Sequence, residues 1–224
     1  MVEASRLVTA DTGGRPPYTG VVTVGASPGE PAIGRPAGPA LGRRVVLIPV
    51  KAFADAKGRL GEALSDKERV ALVRRMAEQV VAAAAPLPVA VVCDDNEVAD
   101  WARQRGALVV WEPGRGLNGA VEEGIRRLAI MGVEHVIVAH GDLPLATGFG
   151  EIEPFDGVTL VPDRREDGTN VIALRSNSGF RFSYGPGSFA RHSAECARLG
   201  LAVRVLRVPG LTWDVDLPGD LEWA

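Results

Sequence analysis

From Arg44 to Asp142, short runs of valine, leucine and isoleucine alternate with longer amphipathic segments, and this alternation restricts the fold more than any other feature of the chain. The run "RVVLIPV" (44–50) is almost wholly apolar, as a strand buried on both faces requires. A helix start follows at Ser65, because Glu68 three residues on completes a capping box, and Val73, Met76, Ala77, Val80, Val81 and Ala84 recur at helical spacing. The pattern then repeats: "PVAVVC" reads as a strand, "NEVADWARQRG" as a helix closed by Gly106, "ALVVW" as a strand, "LNGAVEEGIRRLAIMG" as a helix and "HVIVAHGD" as a strand. Strands joined through helices form βαβ units, so the expected fold is α/β, a mostly parallel sheet between two helical layers, Rossmann-like in plan. Between Pro144 and Val158 the stretch "LATGFGEIEPFDG" is too short and too glycine-interrupted for another crossover helix.

The 224 residues suit one sizeable domain, assigned to 44–224, preceded by an arm over 1–43. The arm is rich in glycine and proline, buries too little apolar surface to offset backbone ordering, and is expected to be flexible, with "GVVTV" its one strand candidate. A net charge of -3 gives no electrostatic footprint for nucleic acid or an anionic membrane, and no apolar run approaches a bilayer span. Cys93 and Cys196 form no metal-like spacing and suit a reducing compartment. The opening residues lack the basic-then-apolar order of a secretory signal, so a cytoplasmic protein is expected. Oligomeric state stays open, a homodimer included.

Three loops at strand ends are candidate ligand sites, since open α/β sheets bind at the carboxyl edge. "PVKAFADAKGRL" leaves the first strand with Lys51, Lys57 and Arg59, cations suited to phosphate, although a solvated basic loop would read the same way. No Walker loop occurs in the chain. "GRGLNG" (114–119) matches G-x-G-x-x-G, and Asp142 lies about twenty residues beyond, as the ribose acid of a dinucleotide site does. An NAD-dependent oxidoreductase is therefore a rival reading, weakened by Glu112 and Pro113 between strand and glycines and by the motif's place after the third strand. A structural alternative has Asn118 capping the helix that follows.

The third loop is "GDLPL", echoed near the far end by "DVDLPGD", so Asp142 and Asp216 both precede Leu-Pro. Each proline steers the chain away from its strand and leaves a carboxylate at the edge. Two such carboxylates suit Mg²⁺, which prefers one or two carboxylates plus substrate phosphates to a full protein cage. Asp214, on the same face as Asp216, is a weaker candidate.

Taken in order, "IPVKAFADAKGRL", "GLNGAV", "GDLPL", "DGTN", "YGPGSFARH" and "PGLTWDVDLPGDL" resemble the guanylyltransferases of coenzyme F-420 biosynthesis, which act on 2-phospho-L-lactate or phosphoenolpyruvate and have the nucleotide-diphospho-sugar transferase fold. The resemblance covers about residues 44 to 223. It implies attack by the phosphate of a three-carbon acid on the α-phosphorus of GTP, with release of pyrophosphate. On that reading Lys51, Lys57 and Arg59 neutralise the triphosphate, Asp142 and Asp216 hold Mg²⁺, and Gly141 leaves room for the nucleotide. Thr169, Gly185 and Ser188 are implied to contact the acceptor, Ser188 being placed as the N-cap of the helix over 189–200. Asp94, Gly116 and Asn118 are positioned for the nucleotide, Asp94 and Asn118 for its base.

"SNSGFRFSYGPG" (176–187) is expected to be a mobile segment closing over substrate, and Arg164 and Arg165 either reach an anionic acceptor or stay solvated. His135, His140 and His192 have no ligand spacing and read as surface or packing residues. Trp101, Trp111, Trp213 and Trp223 read as core. A catalytically silent nucleotide-binding module is the remaining alternative.

Overall fold

The computed structural model describes residues 41–223, so most of the arm, with its strand candidate, lies outside the described residues. Seven strands form one mixed sheet: β1 (Arg44–Pro49), β2 (Val89–Cys93), β3 (Leu108–Trp111), β4 (His135–Ala139), β5 (Val158–Pro162), β6 (Thr169–Arg175) and β7 (Val203–Val205), in the order β3-β2-β1-β4-β6-β5-β7. The first four are parallel and joined in turn by three helices, α1 (Asp66–Ala83), α2 (Asn96–Gln104) and α3 (Gly116–Ile130). α4 (Ser188–Leu199) and the short α5 (Pro209–Thr212) follow the second half of the sheet.

β6 alone runs against its neighbours, pairing antiparallel with β4 and β5. The cause is local. Asp163 folds the short β5–β6 connection on itself by accepting the backbone N–H groups of Arg165 at 2.9 Å, Asp167 at 3.0 Å and Gly168 at 2.9 Å, and so short a link can join only antiparallel strands. A Cβ at position 168 would sit 2.8 Å from Asp163 Oδ2, so the turn requires glycine there. Between β4 and β5 no helix forms, as expected from "LATGFGEIEPFDG".

Strand alternation sends successive residues to two cores. Val46, Ile48, Val91, Ile137 and Val171 pack under α1 and α2 with Leu72, Met76, Val80, Val98 and Trp101. Val45, Leu47, Val92, Val136, Val138 and Ile172 pack under α3 and α4 with Val121, Ile125, Leu128 and Cys196. This is the three-layer α/β/α arrangement. α3 approaches β1 closely at Gly124, where a Cβ would stand 3.0 Å from Leu47 Cδ2.

The predicted starts of α1 and α2 are realised: Ser65 and Glu68 form the reciprocal capping box, and Asp95 accepts the Val98 N–H at 3.0 Å. Trp101 is core, but Trp111 is 38% exposed, because it lies on β3, the edge strand with no neighbour beyond it. No helix among the described residues is long and apolar enough to cross a membrane.

Candidate active site at the carboxyl edge of β1 and β4

Neighbouring β1 and β4 part company at their carboxyl ends: from β1 the chain passes through α1 to β2 on one side, while β4 lies on the other side of β1. Such a switch point opens a crevice in the sheet edge. Asp142 stands there, three residues past β4, and the backbone N–H of Val215 bonds its carbonyl at 3.3 Å, drawing Asp214 and Asp216 to the same place.

The loop after β1 supplies the counter-charge. Lys57 adopts the left-handed conformation (φ 58°) immediately before a 3-10 turn at Gly58–Glu62, and its Nζ makes ion pairs with both Asp142 and Asp216. Burial disfavours the Lys57 ammonium, yet the two carboxylates outweigh it and hold the lysine above its ordinary range. Burial also disfavours a charged Asp142, and Lys57 outweighs that too, so its carboxyl titrates below the usual range. The ammonium thus permits two carboxylates to stand side by side.

A third acid completes the group. Asp214 is 6% exposed, and its carboxyl is raised to about 6, first by burial and then by repulsion from Asp142 and Asp216. Asp142 Oδ1 and Asp214 Oδ1 are both buried without a hydrogen-bond partner, lone pairs that a cation would satisfy. No group of three or more His, Cys, Asp or Glu side chains among the described residues forms a metal cage. Two or three hard oxygen donors short of a cage are the set that suits Mg²⁺ shared with phosphate, so the residues fit the expected ion.

Of the remaining basic residues, Lys51 and Arg59 are exposed on the same loop and do not join the pair. Arg164 and Arg165, partly solvated, are committed within the protein: both bind Asp220, and Arg164 also lies over the Trp213 ring, 4.0 Å from its centroid. Asp220 is fully buried, and its Oδ2 accepts the backbone N–H groups of Asp216 at 2.9 Å and Leu217 at 2.8 Å. The sequence reading missed it.

On the far side of β4 lies a buried polar cluster. Thr169, at the start of β6, is 1% exposed, and its Oγ1 lies 3.0 Å from His192 Nδ1 and 3.5 Å from Ser188 Oγ. Contrary to expectation, Ser188 is not the N-cap of α4. Gly187 (φ 71°) holds that position because the backbone must turn left-handed there, and the Ser188 hydroxyl points to Thr169 instead. Nor is the helix end open to an anion, since Asp167 Oδ2 takes the Gly187 N–H at 2.9 Å and the Asp167 carbonyl takes that of Phe189 at 3.0 Å. Gly185, at φ 113°, shapes the turn leading in.

The segment 176–187 is strapped down rather than mobile. Phe180, Phe182 and Tyr184 are buried in the core beneath α3 and α4. The backbone N–H groups of Arg181, Phe182, Ser183 and Tyr184 bond Glu195 at 3.0 Å, Glu122 at 3.0 Å, His192 Nε2 at 3.0 Å and Asn118 Oδ1 at 2.7 Å. The glycines and serines suggested looseness; the alternate aromatics, each with a core slot, decide the outcome. Two of the histidines also pack here, the His140 and His192 ring centroids lying 4.7 and 5.0 Å from that of Tyr184. The four-residue spacing from Ser188 to His192 was the signal available for the latter.

The nucleotide candidates are more dispersed. Asp94 is exposed at the end of β2, and Gly116 (φ 61°) opens α3 beyond β3. Asn118 caps no helix: Arg115 is the N-cap, without a side-chain bond, and the Asn118 amide serves the strap. A Cβ at Gly141 would rest 3.6 Å from Ile48 and 3.7 Å from Val50, so that glycine faces β1 and not an open nucleotide space. In a dinucleotide fingerprint the glycine loop and the ribose acid end adjacent strands, whereas β2 and β1 separate β3 from β4 here. The oxidoreductase alternative loses its geometric basis.

The family model described as "Guanylyl transferase CofC like" matches residues 44–223. Phosphoenolpyruvate guanylyltransferase of Sphaerobacter thermophilus is 37% identical over 188 residues, 80% of this chain and 90% of the relative. The enzyme of the same name from Rubrobacter xylanophilus is 37% identical over 190 residues, 78% and 90% of the two chains. A 2-phospho-L-lactate guanylyltransferase from Methanocaldococcus fervens is 30% identical over 182 residues, 79% and 82%. A crystal structure from Desulfovibrio desulfuricans G20, assigned to the nucleotide-diphospho-sugar transferases, has a TM-score of 0.65 at 18% identity, covering 81% of this chain and 85% of its own. A nucleotidyl transferase from Methanothermobacter thermautotroptrophicus gives 0.56 at 14% identity, covering 80% and 94%. These structural likenesses carry the fold.

Proposed function

The chain belongs to the CofC-like guanylyl transferase family, and from that premise we propose that it transfers GMP from GTP to the phosphate of phosphoenolpyruvate, releasing pyrophosphate, as a step of coenzyme F-420 biosynthesis in the cytosol. Phosphoenolpyruvate is preferred to 2-phospho-L-lactate as acceptor because the relatives at 37% identity carry the former name and the latter appears at 30%.

The observation that carries the reading is the Lys57 ammonium between Asp142 and Asp216 at the switch point of the sheet. A phosphate acceptor is already anionic near neutral pH, so the reaction asks for no proton abstraction. One acceptor oxygen bonds the α-phosphorus as the bond to the departing pyrophosphate oxygen breaks. The barrier is chiefly repulsion between anions, which positioned cations lower. Lys57 contributes one such charge and offsets the repulsion between the Asp142 and Asp216 carboxylates, while Lys51 and Arg59 stand exposed on the same loop. Asp142 and Asp216, with Asp214 beside them, would hold Mg²⁺. When bound, Mg²⁺ supplies positive charge that screens the phosphates from one another. Thr169, Gly185 and Ser188 form the acceptor side, and Asp94 and Gly116 the nucleotide side.

The test is pyrophosphate release by the purified protein with Mg²⁺ and GTP, ATP or CTP, crossed with phosphoenolpyruvate, 2-phospho-L-lactate and 3-phosphoglycerate. Release with GTP and phosphoenolpyruvate, lost in Asp142→Asn and Asp216→Asn, is the expected result. Release with another acceptor reassigns the substrate, and tight GTP binding with no release under any combination leaves a silent nucleotide-binding module.

A further inference from the structure

His192 is fully buried, away from Lys57 and its carboxylates, and the chemistry above gives it no task. Its two nitrogens are nevertheless both engaged, and by partners of different kinds. A backbone N–H can only donate, so the Ser183 N–H, 3.0 Å from Nε2, requires that nitrogen to be unprotonated. A neutral imidazole then carries its proton on Nδ1, which faces Thr169 Oγ1 at 3.0 Å. Burial, which lowers the affinity of the ring for a second proton, keeps it in this neutral form.

The consequence falls on Thr169. A hydroxyl has one proton to give and two lone pairs to receive. Nδ1–H of His192 fills one lone pair, and the Ser188 hydroxyl lies 3.5 Å away, able to donate or accept. With the His192 ring donating, the Thr169 proton cannot be given to Nδ1 and is left for the Ser188 oxygen or for an oxygen anion that displaces it.

We propose that His192 is a positioning residue which, through Ser183 and its Nδ1–H tautomer, turns the Thr169 hydroxyl proton away from the ring and frees it for an anionic oxygen of the acceptor. The proposal rests on the reading of Thr169 as an acceptor contact. It makes the 176–187 strap part of recognition, because Ser183 N–H chooses the tautomer. It also gives the site a preference by type: an oxygen anion is accepted, whereas a group that must itself donate at that point meets a second donor.

The tautomer is read on the unaltered protein by nitrogen-15 NMR of histidine-labelled material, with His192→Asn used to assign the resonance. The expected spectrum has a protonated Nδ1 and a bare Nε2; a protonated Nε2 overturns the proposal whatever the variants do. Kinetics then separate positioning from packing. His192→Gln keeps an acceptor for the Ser183 N–H but no donor for Thr169, and His192→Asn does the reverse. With phosphoenolpyruvate varied at saturating GTP and Mg²⁺, His192→Gln and Thr169→Val should each raise the acceptor KM by about tenfold, the equivalent of one hydrogen bond to a charged group, with little change in the KM for GTP. The double variant should be no worse than Thr169→Val alone. His192→Asn should lose less than His192→Gln. The opposite order, or additive losses in the double variant, means that His192 only anchors the strap and sinks the proposal. If Thr169→Val leaves the acceptor KM unchanged, the acceptor-pocket reading fails and takes the proposal with it, while the NMR spectrum still reports whether the tautomer was assigned correctly.

Discussion

Asp220 fixes the backbone of Asp216: the Asp220 Oδ2 accepts the Asp216 N–H at 2.9 Å while its Oδ1 binds Arg165 at 2.6 Å and also receives Arg164. A residue four positions away therefore holds one of the two carboxylates that Lys57 bridges, and anchors it to the β5–β6 turn. Burial alone would raise the Asp220 carboxyl, but these backbone and arginine donors outweigh it and hold it well below the usual range. Asp220→Ala leaves two arginines and two N–H groups without their acceptor. It should cost about 3 kcal/mol of stability, the lower end for breaking a buried pair because both arginines retain some solvent. Asp220→Asn should lose less stability yet still lower kcat, since it weakens the hold on Asp216. Chemical denaturation beside steady-state kinetics separates the two effects, and wild-type kcat in Asp220→Asn would refute the link to Asp216.

Lys57→Met removes the charge that lets Asp142 and Asp216 coexist. The expected loss is about 10²–10³ in kcat/KM, the scale of deleting one preorganised electrostatic partner. Lys57→Arg should not restore the activity, because a guanidinium fork does not reproduce a compact ammonium held by two carboxylates. The carboxyl of Asp142, freed of its cation in a buried place, should titrate higher, moving the acid limb of the pH–rate profile to higher pH. A Lys57→Met enzyme within threefold of wild type would remove the pair from the mechanism.

The first four strands, the helices between them and the pairing of "DLP" aspartates were legible because each depends on local pattern: β-branched runs, capping residues, and prolines that turn the chain at a strand end. What was illegible depends on partners distant in sequence. Nothing near Arg164 and Arg165 indicates that Asp220 will bind both, and nothing within "SNSGFRFSYGPG" indicates that Asn118, Glu122, His192 and Glu195 will accept four of its N–H groups. Ser188 shows the same limit at one residue, since a cap is assigned from composition but is decided by which neighbour adopts a left-handed backbone, here Gly187.

His192 also gives the fold a pH dependence of known sign. Burial first, then Arg191 and His140, lower its pKa from 6.5 to about 4, with Glu195 opposing. The unfolded chain therefore takes up a proton below pH 6.5 that the folded protein refuses until about pH 4. Stability from this group is complete above pH 6.5 and declines as the pH falls toward 4, by about 3 kcal/mol at most. His192→Gln should be less stable at pH 7.5 but show a shallower fall in Tm between pH 6.5 and 4.5. Parallel Tm curves for the two proteins would mean that His192 does not titrate in this way.

Asn118 offers the sharpest separation between what the sequence suggests and what the structure does with the residue. Its place after the G-x-G-x-x-G loop points to the nucleotide, whereas its Oδ1 takes the Tyr184 N–H at 2.7 Å and so holds the strap against the polar cluster of Thr169 and His192. Asn118→Ala strands that N–H in a buried place, a cost of about 1–3 kcal/mol, and loosens Tyr184 against His140 and His192. If the strap is the role that matters, Asn118→Ala raises the KM for the acceptor severalfold and leaves the KM for GTP near its original value. If Asn118 reads the base, the losses fall on GTP, and discrimination against ATP and CTP weakens with them. Steady-state kinetics with each substrate varied in turn distinguish these outcomes, and the geometry commits to the first.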